Sequence, residues 1–197
     1  KAWRETLPEF HVSVNFSALQ FEDPRLAEKV SERVRAAGLP GSALTVEITE
    51  SMELHNSDQL LQIIRSLRAY HVSFAIDDFG TGYSSLNHIK EIPLDVIKID
   101  QTFATDIEQD EYAKAFIKMI SELAETLDLS VCVEGVEKEE QLRILEEMQV
   151  KYIVDTRIRK TSTLVPGILR TLSLRFMLRV RSAPMWHLLL TLRLWRL

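Results

Sequence analysis

The chain has 197 residues, 46% hydrophobic and 27% charged, a globular balance without disorder-like bias that suffices for one domain with a sizeable core. A single cysteine, Cys132, excludes an internal disulfide and argues against a thiolate zinc site, and His11, His55, His71, His88 and His187 show no ligand spacing. The net charge of −5 hides two compositions: residues 151–197 hold ten Lys or Arg against Asp155 alone, which leaves residues 1–150 with 14 basic and 28 acidic side chains.

In chain order, five segments share one design: His11–Asn15, Leu44–Thr49, Val72–Asp77, Val96–Asp100 and Ser130–Glu134. Each alternates with period two, so each is a predicted strand. One face carries Val12, Val14, Leu44, Val46, Ile48, Val72, Phe74, Ile76, Ile97, Ile99, Val131 and Val133. The other carries small residues and then a polar or charged group near the C-terminal end: Asn15, Glu47, Asp77, Lys98 and Glu134.

Helical patterns fill the gaps. Asp23 and Pro24 open a run through Leu26, Val30 and Val34 that Gly38 stops. Leu60, Leu61, Ile64 and Leu67 form a second apolar stripe. A short segment from Ser84 to Lys90 follows, limited by Pro93. Tyr112, Phe116, Ile120, Leu123 and Leu127 mark a long helix, and Leu142, Leu145 and Met148 another. Tyr152-Ile153-Val154 is a sixth apolar run.

Strand–helix alternation predicts parallel strands and an α/β fold. A polar inner face behind a wholly apolar outer face suits a barrel better than an open sheet with two helical layers. In (β/α)₈ barrels the active site lies at the C-terminal ends of the strands, where all five polar residues fall. Carboxylates converging on one mouth repel each other, by roughly 4 kcal/mol for unit charges ~4 Å apart at a dielectric near 20. Such a cluster calls for cations, held by oxygen, which favours Mg²⁺, Mn²⁺ or Ca²⁺.

Individual roles stay open at this level. Asp77 or Asp78 is either a cation ligand or a cap for the next helical turn. Asp78 has the wrong parity to join Glu47 and Asp77 unless the strand ends at Asp77 and turns on Gly80 and Gly82. Lys98 either orients a water and offsets phosphate charge, or pairs with Asp100 or a neighbouring carboxylate. Glu134 is a base or a ligand. Glu50 and Glu137 are weaker candidates.

The strings Val14-Asn15-Phe16-Ser17, Glu47-Ile48-Thr49-Glu50-Ser51, Asp77 through Leu86, Lys98-Ile99-Asp100 and Glu134-Gly135-Val136-Glu137 resemble, in order and spacing, the EAL-domain phosphodiesterases over about residues 1–153. That resemblance implies a modified (β/α)₈ barrel that hydrolyses cyclic di-GMP to linear pGpG with two Mg²⁺ or Mn²⁺ ions, in bacterial signalling that regulates biofilm and motility. It implies Asn15, Glu47, Asp77 and Asp78 as metal ligands, Asp77 shared between the ions. Lys98 would hold the catalytic water, Glu134 would be general base or ligand, Glu137 a further active-site acid, and Glu50 the acid that steadies the loop after Asp78. The family also implies a homodimer through the 78–86 region, upstream sensor or GGDEF-type domains, and a cytoplasmic location, including the cytoplasmic part of a membrane-anchored protein. No DNA or RNA partner is expected.

The sequence departs from the family in two places. The Glu-Ala-Leu tripeptide is absent, so an incomplete barrel with weak or no activity is expected. After Ile153 the family's Gln-Gly pair is missing, and residues 154–197 match nothing in it. That basic tail reads as divergent or out of frame in preference to an amphipathic membrane segment or a nucleic-acid arm; its longest uncharged run, Ser182 to Leu192, is too short to span a bilayer. The rival function is a non-catalytic module that binds cyclic di-GMP or a protein partner. A different Mg²⁺-dependent barrel enzyme is a third reading.

Overall fold

A computed structural model describes residues 11–49, 57–82, 86–148, 150, 152–155 and 169–170. Its frame is one sheet of seven parallel strands in sequential order: β1 (Val12–Phe16), β2 (Leu44–Thr49), β3 (Ser73–Phe79), β4 (Val96–Ile99), β5 (Ser130–Val136), β6 (Tyr152–Asp155) and β7 (Leu169–Arg170). Parallel neighbours need crossovers, and from β1 to β6 helices provide them: α1 (Ala18–Phe21), α2 (Leu26–Ala36), α3 (Ser57–Ala69), α4 (Leu86–Glu91), α5 (Thr102–Thr105), α6 (Glu111–Thr126) and α7 (Glu139–Glu147). Consecutive parallel strands joined by helices form the wall of an incomplete TIM-like (β/α)₈ barrel of the α/β class, as expected. The last strand, β7, falls within the 154–197 tail and pairs with β6 through Tyr152–Leu169 and Ile153–Arg170.

The core lies between the outer face of the sheet and the helices. Val46, Ile48, Phe74, Ile76, Ile97, Ile99, Val131 and Val133 are buried there, the set that period-two alternation assigns to one face. Helix α3 covers them with Leu60, Ile63, Ile64 and Leu67. Helix α6 buries Ile120 of the predicted stripe and packs Phe116, Leu123 and Leu127, partly buried, against the core. Its buried residues are Ala113, Ile117, Ile120 and Ala124, while Tyr112 is 71% exposed. Asp110 sets that phase by capping the helix: its Oδ1 accepts from the N–H groups of Tyr112 (2.9 Å) and Ala113 (3.1 Å). Small Ala113 and Ala124 then bring the helix close to the sheet, and the larger aromatic rings stand to its side.

The end of the barrel wall away from the site is tied by Asp95. Its Oδ2 accepts from Phe74 N–H (2.8 Å) and from Arg68 Nη1 (2.6 Å), while its carbonyl accepts from Ser130 N–H (2.9 Å). One residue thus links β3, β4 and β5 at their N-terminal ends and fixes the heights at which their C-terminal side chains emerge.

The strand register departs from simple alternation at two places. Ile76 pairs with Ile97 and Phe79 with Ile99, so Asp77 and Asp78 together face the single residue Lys98. Likewise Val133 pairs with Ile153 and Val136 with Asp155, so Glu134 and Gly135 face only Val154. Both are β-bulges, in which an extra residue bends the strand and re-aims side chains. In each the second residue is left-handed: Asp78 at φ 55° and Gly135 at φ 75°. Phe79 and Val136 return to the buried outer face. Strand β3 therefore does not end at Asp77, as parity argued. It runs on to Phe79, and the bulge, in place of a turn at Gly80 and Gly82, brings Asp78 round to the inner side.

Candidate active site

Four strands each supply an ionisable side chain to the inner face: Glu47 from β2, Asp77 with Asp78 from β3, Lys98 from β4 and Glu134 from β5. Glu47, Asp77, Lys98 and Glu134 are all buried. Lys98 Nζ lies at the centre, 2.8 Å from Glu47 Oε1, 2.8 Å from Asp77 Oδ1 and 2.7 Å from Glu134 Oε1. It donates a hydrogen bond to Asp77 Oδ1. Glu47 Oε1 sits within ion-pair range but has no aligned hydrogen-bond donor.

The charges explain the protonation behaviour. Burial pushes the Glu47 carboxyl above its ordinary value and Asp77 adds to this, while the Lys98 ammonium and a Ser13 hydrogen bond oppose the shift. For Lys98 burial disfavours the charged form, but Glu47, Glu134 and Asp77 outweigh it and hold the ammonium well above its usual value. Cys132, in register with Lys98, has its thiol pushed up to about 12 by burial, with Lys98 opposing. It is not an activated nucleophile.

Carboxylate oxygens of Asp77, Asp78 and Glu134 lie within 4.8 Å of one another. This all-oxygen, anionic donor set suits a hard divalent cation. The residues present therefore fit such an ion. Asn15 is half-buried on β1, in register with Glu47. Glu137 is exposed just beyond β5. Glu50 and residues 83–85 of the 78–86 loop lie outside the described residues. Asp100 is not a partner of the central lysine: its Oδ1 accepts from Thr102 N–H (2.9 Å) and starts α5.

Two supports are not evident from the sequence motifs. Gln141, on the buried face of α7, is 2% exposed. Its Oε1 accepts from Glu137 N–H (2.7 Å) and Lys138 N–H (2.9 Å), and its Nε2 donates to the carbonyls of Ala104 (2.9 Å) and Thr105 (3.2 Å). It ties the segment after the Glu134 bulge to the segment after Lys98. The only sequence signal is an amide beside Leu142 and Leu145 on an apolar stripe. The second support is aromatic. Phe103 and Phe116 stack at 4.2 Å and 13°, and a Cβ on Gly80 would meet them at 2.6 and 2.8 Å, so the chain beyond Asp78 rests directly on the two rings.

Comparison with known proteins is consistent with this geometry. The family model described as EAL domain matches residues 1–154. The bifunctional diguanylate cyclase/cyclic di-GMP phosphodiesterase MucR of Pseudomonas aeruginosa is 38% identical over 140 residues, covering 71% of this chain and 20% of that protein. A solved PaMucR phosphodiesterase in complex with c-di-GMP superposes with a TM-score of 0.71 at 35% identity, covering 77% of this chain and 62% of that one. The manganese/cy-diGMP complex of Klebsiella pneumoniae BlrP1 gives a TM-score of 0.72 at 26% identity, over 79% of this chain and 40% of that one. The chain spans 16–20% of the length of the curated relatives it matches.

Proposed function

The chain belongs to the EAL-domain family, and from that premise we propose that it is part of the catalytic domain of a cyclic di-GMP phosphodiesterase that yields linear pGpG. The observation that carries the reading is the convergence of Asp77, Asp78 and Glu134 oxygens within 4.8 Å, beside Lys98, at the C-terminal end of a parallel barrel wall.

Asn15, Glu47, Asp77 and Asp78 would hold two Mg²⁺ or Mn²⁺ ions. Once bound, those ions supply Lewis acidity and a water of lowered pKa for in-line attack on the phosphodiester. The protein's own part is to position and to move protons. Lys98 orients the attacking water and offsets phosphate charge. Glu134, beside it, takes the water's proton or helps to hold an ion. Glu137 acts at the exposed rim, and Glu50 steadies the loop after Asp78. The bulges on β3 and β5 set the separation of these groups.

The same reading includes a homodimer through the 78–86 region and sensor or GGDEF-type domains in the longer protein. No helix among the described residues is long and apolar enough to cross a membrane.

The test is cyclic di-GMP hydrolysis followed by chromatography of the products, with Mg²⁺, Mn²⁺ or a chelator. Turnover should need the cation and fall by about 100-fold or more in Asp77→Ala, since loss of a group that merely supports a ligand already costs about 10–100-fold. Unchanged turnover in that variant would refute the assigned roles. Tight nucleotide binding by calorimetry with no product in any cation would favour a non-catalytic binding module.

A further inference from the structure

Lys98 cannot do its proposed work where it stands. Its side chain is 5% exposed, and its ammonium is closed in by Glu47, Asp77 and Glu134 at 2.7–2.8 Å. Neither a water nor a phosphate could reach Nζ without parting it from at least one carboxylate. Two of those carboxylates, Asp77 and Glu134, also belong to the oxygen trio that fits a divalent cation. Their oxygens cannot face an ammonium and an incoming dication equally: the two cations repel, and at a given distance a doubly charged ion feels twice the repulsion of a singly charged one.

We propose that Lys98 is the resident counter-cation of this cluster, that a divalent cation must displace its ammonium from Asp77 and Glu134 to bind, and that metal loading thereby frees the lysine for the water or the phosphate. The inference rests on the metal-dependent reading above and extends it to an order of events. Without metal the lysine keeps three buried carboxylates assembled, which alone would repel one another. With metal that task passes to the ion. A lysine used in this way ties the readiness of the site to cation loading: the same group is a plug in one state and a working side chain in the other.

The experiment titrates Mn²⁺, without nucleotide, into the wild-type chain and into Lys98→Met, Lys98→Gln and Lys98→Arg. Calorimetry and the spin-resonance signal of free Mn²⁺ report binding. Removing the charge should tighten Mn²⁺ binding about tenfold or more in Lys98→Met and Lys98→Gln, because the ion no longer evicts a competitor; Lys98→Arg should stay near the wild type. The neutral variants should also melt lower than the wild type in chelator and gain more from Mn²⁺. A variant that folds only in Mn²⁺ supports the proposal in the same sense. Wild-type Mn²⁺ binding as tight as, or tighter than, that of both neutral variants overturns the counter-cation role and leaves the metal site standing. Absence of Mn²⁺ binding in the wild type and in both neutral variants overturns both.

Discussion

Gln141→Leu removes four hydrogen bonds with little change in volume. The amide accepts from Glu137 and Lys138 and donates to Ala104 and Thr105 at 2.7–3.2 Å, and the residue is 2% exposed. A typical hydrogen bond contributes about 0.5–1.5 kcal/mol net, so four give about 2–6 kcal/mol. Water can replace part of this at the Glu137 and Lys138 end, where the exposed turn begins, which brings the expected loss to about 3 kcal/mol. Urea denaturation should show a lower midpoint at unchanged slope, and the Glu137 and Lys138 amides should exchange faster. Gln141→Glu keeps the acceptor but turns a buried carboxylate oxygen towards the carbonyls of Ala104 and Thr105, so at neutral pH its loss should exceed that of Gln141→Leu. A drop below about 1 kcal/mol with both amides still protected would show that the backbone alone holds the segment, and the clamp argument would be wrong.

Three further outcomes are expected. Gly135→Ala places a Cβ 2.4 Å from Gln101 Cβ at φ 75°, so thermal unfolding should show a loss of about 2–5 kcal/mol, the range of overpacking plus a left-handed penalty. Asp78 is left-handed as well, at φ 55°: Asp78→Asn should fold with wild-type stability and bind Mn²⁺ more weakly, whereas Asp78→Val should lose about 1–2 kcal/mol from backbone strain alone, which denaturation with and without Mn²⁺ separates. Burial raises the Cys132 thiol from 9.0 to about 12, so in this window the unfolded chain gives up the proton first. The stabilising contribution is therefore full below pH 9 and is lost as pH rises towards 12, by up to about 1.4 kcal/mol per pH unit. Cys132→Ala should flatten the alkaline stability curve relative to the wild type once both are referenced to pH 8; parallel curves would contradict the burial argument.

The fold and the site differ in how much of each the sequence displays. The outer face from Val46 to Val133 is legible because it depends only on the two-residue period of a strand. Glu47, Asp77, Lys98 and Glu134 are legible for the same reason: each keeps the parity of its strand. Asp78 breaks parity, and its inward turn depends on where β3 slips against β4, a pairing between segments twenty residues apart that no local pattern records. Helix α6 is legible from its apolar stripe, but the deep burial of Ala113 and Ala124 is not, because aromatic residues outweigh alanine in any such stripe, whereas alanine is what permits close approach to the sheet. Gln141 looks like a polar interruption on an apolar stripe until its partners on α5 and after β5 are seen. The sequence leaves Lys98 open between an ion pair and a lysine that orients water, and only the distances to three carboxylates show the ion pair.

The two bulges account for one difference between otherwise matching strand ends. Asp77-Asp78-Phe79 and Glu134-Gly135-Val136 follow one pattern, in which an inward acid precedes a left-handed residue and an apolar residue returns to the core. They flank β4, so Lys98 receives a carboxylate from either side. The left-handed position is an aspartate on β3 and a glycine on β5, and the surroundings give the reason. On β5 any Cβ would strike Gln101, so only glycine fits. On β3 the residue carries a Cβ, and its carboxylate joins the oxygen trio. Aspartate tolerates the left-handed region better than most side chains, so the local backbone and the ligand chemistry select the same residue. The Asp-Asp pair is thus a bulge whose extra residue adds an oxygen to the trio, and the Glu-Gly pair is a bulge whose extra residue gives way to a neighbour.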